Sequence, residues 1–128
     1  MTNLLLVGLG GFAGAVARYS LGGWILHHTL SAKFPWSTFT VNAAGCLVMG
    51  LLSGLIERLD WFTPHLRLLL LTGLLGGFTT FSAFGLETVY LLRRGEIWIA
   101  ATYAFASVIV CVVALWIGLK AGELLPRN

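Results

Sequence analysis

The stretch Thr72-Gly73-Leu74-Leu75-Gly76-Gly77-Phe78-Thr79-Thr80-Phe81-Ser82-Ala83-Phe84-Gly85-Leu86-Glu87 puts hydroxyls, glycines, phenyl rings and a carboxylate inside an otherwise apolar run. Backbone groups in lipid must be satisfied by protein, so irregular main chain at membrane depth is confined to places where protein or a water-filled cavity supplies partners. The run therefore predicts a helix break that lines a path or an ion site. A break near Gly76 to Thr80 brings two half-helix ends to mid-membrane, where carbonyls of the first half can coordinate a cation and amides of the second can receive an anion. Phe81 and Phe84 stand three apart and share a helix face. Phenyl edges are electropositive, so the pair either borders an anion path or packs into a core. Glu87, three further on, is open to three roles: a proton relay, a partner for Arg18, or a solvated group near the helix end.

Other spans carry polar groups at matching depth. Thr38, Asn42, Gly45, Met49 and Ser53 recur at three- and four-residue spacing, a polar or small stripe on an aliphatic helix. Asn42 is either hydrogen-bonding glue between helices or a group that contacts something in a pore. Tyr103, Ser107 and Cys111 are spaced by four and form one line down another helix. Such a line can replace an anion's hydration shell stepwise, or consist of a belt tyrosine and a serine bonded back to its own helix. Arg18 either snorkels to the interface or serves a buried or vestibule role.

These groups need four spanning helices to hold them. The chain of 128 residues is 58% hydrophobic and only 10% charged, with a mean hydropathy of +0.89, which places it in the membrane class. Spans are predicted at about residues 3–26, 38–56, 66–92 and 97–122, a single membrane domain over residues 1–128. The first lacks a basic n-region and is too long for a secretory h-region, so it reads as a retained helix. Ser37 or Thr38 is the expected cap of the second. The third would extend about 40 Å as one helix against a core of about 30 Å, and the Gly76-Gly77 pair offers a break in place of tilt. Gly10 with Gly14, and Gly50 with Gly54, have the GxxxG spacing of close helix approach.

Several function classes drop out. The formal charge of +3 is scattered, without the basic run that nucleic-acid binding requires. Paired carboxylates, a nucleophile with its base, and a metal triad at membrane depth are all missing, which argues against an enzyme. His27 and His28 are adjacent in a loop without a third ligand nearby, and Cys46 with Cys111 suggests neither a metal site nor a disulfide framework. Trp36 and Trp61 fit interfacial anchors.

Charge distribution bears on assembly. Arg58, Arg67, Lys120 and Arg127 fall on one side of a four-span chain, and Lys33, Arg93 and Arg94 on the other, joined by Arg18 if it snorkels that way. Such balance gives the positive-inside rule almost nothing to act on, so the chain can insert both ways. A subunit present in both orientations can assemble as an antiparallel two-fold dimer, the whole-chain counterpart of inverted repeats.

At this point the residues resemble the small four-helix fluoride channels of bacteria, called Fluc. The resemblance rests on Gly-Gly-x-Thr-Thr-Phe-Ser-x-Phe at Gly76 to Phe84, on Asn42 after Thr38 and Thr40, on Arg18, and on the Tyr103/Ser107 line. It implies an all-α, dual-topology antiparallel homodimer with two fluoride pores in the bacterial inner membrane, passively exporting cytoplasmic fluoride and so protecting against its toxicity. It further implies a structural sodium ion held by backbone carbonyls of Gly76 and Thr79 from each subunit. Phe81 and Phe84 would flank the fluoride path, Asn42, Ser82, Tyr103 and Ser107 would be polar groups along it, with Glu87 and Arg18 near it. Ala83 stands where the family usually has Thr, Cys111 where the polar line usually continues with Ser, and Leu115 is apolar where a hydroxyl can occur. The alternative is a dual-topology, proton-coupled small-molecule or multidrug exporter. That class predicts an essential Glu in the first span, which has none.

Overall fold

The computed structural model describes residues 1–59 and 62–124, and every regular element among them is helical. Helix α1 is Thr2–His28, α2 is Trp36–Ile56, α4 is Phe81–Arg93 and α5 is Ile97–Glu123. Helix α3 covers residues 64–78 and changes winding along its length: Pro64–Arg67 is α-helical, Leu68–Leu75 is π-helical and Gly76–Phe78 is α-helical again. Among the described residues four stretches are long and apolar enough to cross a membrane, namely Thr2–His28, Trp36–Ile56, Pro64–Arg93 and Ile97–Glu123. The chain is thus a multi-pass membrane protein of four spans with the third interrupted. Trp61 and Arg127, named above as anchor and charge, lie outside the described residues.

The interruption falls two residues beyond the glycine pair. Gly76 keeps helical angles (φ −63°, ψ −36°), whereas Thr79 (φ −84°, ψ 154°) and Thr80 (φ −148°, ψ 117°) are extended. Their hydroxyls explain why the chain can leave the helix here. Thr79 Oγ1 donates back to Leu75 O at 2.9 Å, closing the end of α3, and Thr80 Oγ1 accepts from Ala83 N at 3.2 Å as the N-cap of α4. Gly77 serves packing instead: a Cβ there would strike the backbone of Gly11.

The second span also opens differently from expectation. Trp36 is the first helical residue behind Pro35, and neither Ser37 nor Thr38 caps it. Proline presets the entry angle, and both hydroxyls are drawn to other helices: Ser37 Oγ donates to Gly22 O at 2.9 Å and Thr38 Oγ1 to Glu87 Oε1 at 2.7 Å. The last connection is a Schellman turn, with Glu96 N on Leu91 O at 2.9 Å and Gly95 N on Leu92 O at 3.0 Å. Gly95 has φ 77°, a conformation that favours glycine.

Glycines set the helix spacing in two parallel pairs. On α1, Gly10 and Gly14 lie against α3 at Gly73, Leu74 and Phe78. On α2, Gly50 faces the carbonyl of Leu115 and Gly54 that of Leu119, while Gly118 and Gly122 of α5 face Leu47 and Leu51 in return. Replacing Gly50 by Val would drive a branched side chain into the α5 backbone. We expect Gly50→Val to cost about 1–3 kcal/mol of stability, read as a lowered thermal midpoint in detergent; an unchanged midpoint would mean that α2 and α5 can separate without penalty.

Burial is inverted relative to a soluble protein. Val41, Leu75, Leu91, Ala100 and Tyr103 are buried, whereas Leu9, Phe12, Tyr19, Phe81 and Phe105 are exposed. Exposed apolar faces of this extent are expected for a protein whose solvent is lipid or a second copy.

Candidate functional site

The site is assembled around the break, and Asn42 fixes the break in place. Its Nδ2 donates to Thr80 O at 2.9 Å, and its Oδ1 accepts from Thr80 N at 2.7 Å. One carboxamide therefore satisfies both main-chain groups of the residue that leaves the helix. The Thr80 amide would otherwise serve Gly76 O, and the Ala83 amide, held by Thr80 Oγ1, would otherwise serve Thr79 O. The carbonyls of Gly76 and Thr79 are thereby released from their helical donors. Asn42 thus bonds across helices, the first of the two roles open to it, and it also lines the groove beside the break.

Arg18 binds the last turn of α3, just ahead of the break. Its Nε donates to Gly77 O at 3.0 Å and the side chain is half-buried, which replaces the snorkelling alternative. A guanidinium at the carbonyl end of α3 is where the helix dipole favours a cation.

Glu87 is not paired with Arg18. It accepts from Thr38 Oγ1 at 2.7 Å and from Tyr103 OH at 2.6 Å, joining α2, α4 and α5 in one polar layer. Tyr103 is fully buried, which excludes an aromatic-belt position. Its ring lies 5.2 Å from Phe84 and 5.3 Å from Phe34, and Phe84 lies 5.2 Å from Phe81. These rings make a continuous line from the buried layer to the outer surface of α4.

A constant register connects α2 with α5. Thr38 and Tyr103 share Glu87, Asn42 and Ser107 line one groove, as do Cys46 and Cys111, and Gly50 and Gly54 abut Leu115 and Leu119. Each step is one helical turn on both helices. The groove encloses about 400 Å³, and its wall includes Asn42, Thr79, Thr80, Phe81, Phe84 and Ser107. Among the described residues Ser107 Oγ is buried without a hydrogen-bond partner, so it does not bond back to its own helix. Phe81 is 80% exposed at the groove mouth. Ser82 is exposed close by, its Oγ 3.1 Å from Thr80 Oγ1.

The break thus brings together Asn42, Phe81, Phe84, Ser107 and Thr79, with Tyr103 and Glu87 in the adjoining layer. Arg18 lies apart, in a second hollow of about 460 Å³ also lined by Thr38, and Thr80 lines both. Sequence reasoning missed three features: the Thr38–Glu87–Tyr103 cluster, the π-helical winding, and Cys46 as part of the groove. The matching four-residue spacings of Thr38/Asn42/Cys46 and Tyr103/Ser107/Cys111 were the signal for the first and last.

Residues 5–119 match the family model described as CrcB-like protein, Camphor Resistance (CrcB). Among similar proteins, one from Methylobacillus flagellatus is 51% identical over 120 residues, 94% of each chain. Another, from Rhodospirillum centenum, is 47% identical over 119 residues, 93% of this chain and 94% of that one. A third, from Agrobacterium fabrum, is 42% identical over 123 residues, 96% and 98%. Each is named fluoride-specific ion channel FluC. With the family model and near full-length relatives in agreement, the chain belongs to the CrcB family.

Proposed function

We propose that this chain is a fluoride-selective channel of the bacterial inner membrane, exporting cytoplasmic fluoride passively and thereby protecting the cell from it. The observation that carries the reading is the groove at the break. It offers the unpartnered Ser107 hydroxyl, the Asn42 carboxamide and the Phe81 and Phe84 rings, with no full positive charge in its wall. Fluoride is small and strongly hydrated, so its passage needs donors to replace water in steps. Conduction also needs each site to be weak enough to release the ion. A fixed cation in the path would hold fluoride too tightly, and Arg18 is committed to Gly77 O beside the other hollow.

The working unit in this proposal is an antiparallel homodimer with two fluoride paths. Balanced loop charge supports insertion in both orientations, and the 80% exposure of Phe81 supports a partner surface at the groove mouth. A structural sodium ion belongs to the same proposal, held by the carbonyls of Gly76 and Thr79 from each subunit. The residues fit: diversion of the Thr80 and Ala83 amides to side chains leaves those two carbonyls as hard oxygen donors. The ion's chemistry would be to neutralise facing carbonyl ends.

The test is ion efflux from liposomes holding the purified protein, loaded with potassium fluoride or potassium chloride and triggered by a potassium ionophore. Fluoride loss with chloride retained, and no imposed pH gradient, is the expected result. Fluoride loss only under a proton gradient would replace the channel with a coupled transporter, and equal loss of both anions would remove the selectivity.

A further inference from the structure

Cys46 and Cys111 are the groove's remaining reactive groups. Both are half-buried free thiols in its wall, on different helices. The α2–α5 register independently sets them opposite one another: the contact of Gly50 with Leu115, moved back one turn on each parallel helix, is position 46 against position 111. Met49, a thioether, lines the same wall one turn along from Gly45.

We propose that Cys46 and Cys111 form a binding site for a soft divalent cation of linear two-coordinate preference, mercuric ion being its type, and that occupancy closes the groove. Ligand softness selects the metal class, since thiolate and thioether donors favour soft cations over magnesium or calcium. Coordination number narrows it further. Among the described residues no three His, Cys, Asp or Glu side chains gather to hold a metal, whereas a structural zinc site takes four ligands. Charge narrows it again, because an ion in an apolar wall must be neutralised. Two S–H bonds break, two Hg–S bonds form and two protons leave, so the divalent ion with two thiolates is neutral and nothing is oxidised or reduced. A monovalent soft cation on the same two thiolates would leave a net negative charge.

Closure rests on the proposed fluoride path, but binding does not. The purified protein is titrated with mercuric chloride while the remaining reactive thiol is counted. One equivalent per subunit protecting both thiols is expected, with half-saturation moved on the order of a hundredfold higher in Cys46→Ser and in Cys111→Ser because chelation is lost. Cys46→Ala and Cys111→Ala repeat the comparison without a new hydroxyl. Two equivalents reacting independently, or single variants that bind as tightly as the parent, would overturn the site. In fluoride-loaded liposomes mercuric chloride should block efflux, and a dithiol should restore it. Each single variant, scaled to its own unblocked rate, should need correspondingly more metal for the same block. Block at parental sensitivity in the double serine variant would overturn closure by these thiols. Chelation by both thiols with efflux unaffected would leave the metal site standing and overturn closure of the path.

Discussion

Asn42→Asp should suppress fluoride efflux on the order of a hundredfold or more. The carboxylate can still accept from Thr80 N, but it cannot donate to Thr80 O, which the native carboxamide reaches at 2.9 Å. It also places a negative charge in the groove wall. Two like charges about 4 Å apart repel by about 4 kcal/mol at an effective dielectric constant near 20, and each 1.36 kcal/mol on a barrier is a factor of ten. Discounting that repulsion by a third still leaves close to two powers of ten. Asn42→Ala separates charge from support. It adds no charge but leaves both main-chain groups of Thr80 without their partner, so its principal cost is stability, about 2–5 kcal/mol for two orphaned groups. Liposome efflux read beside thermal unfolding in detergent distinguishes the two effects. Normal efflux in a folded Asn42→Asp protein would reduce Asn42 to helix packing and move the fluoride path away from the groove.

That one carboxamide also shows where sequence reading stops. The break was legible because hydroxyls, glycines and a carboxylate cannot face lipid in a regular helix, and because residues 66–92 are too long for one straight span. Its range, Gly76 to Thr80, was legible too, but which residues within it leave the helix was not. Gly76-Gly77 looked like the weak point on propensity, yet both glycines stay helical, Gly77 packed against Gly11 of α1, and the chain departs at Thr79-Thr80, where two hydroxyls and Asn42 supply replacement partners. Such partners come from another span, and no local rule on the third segment contains them. The same holds for Thr38, which reads locally as a helix cap but is spent on Glu87, and for Glu87, whose carboxylate finds two hydroxyls and not the nearest-seeming cation. The Tyr103/Ser107/Cys111 line was legible as a periodicity. Its purpose emerges only when α5 is set in parallel register against α2, and the GxxxG spacing of Gly118 and Gly122 that fixes this register matches the spacing already noted at Gly50 and Gly54.

Phe81→Ile tests the aromatic wall with little interference from folding. Phe81 is 80% exposed, so its replacement removes little packing within the subunit, and stability in detergent should change by less than about 1 kcal/mol. Its ring stands 5.2 Å from Phe84, at the end of the aromatic line that starts at the buried Tyr103. Isoleucine keeps the apolar surface but has no quadrupole, so the electropositive ring edge is lost while hydrophobic contact largely remains. If an edge-on phenyl lowers the barrier for a passing anion by about 1.4 kcal/mol, within the range for a single aromatic contact, efflux falls about tenfold. Phe81→Tyr keeps a ring at the same position and should retain more flux than the isoleucine variant. A drop in Phe81→Ile with assembly preserved on size exclusion locates the ring beside the moving ion. Equal flux in Phe81→Ile and the parent would confine this ring to a packing role, and the groove would then depend on Ser107, Asn42 and Phe84 for what it offers the anion.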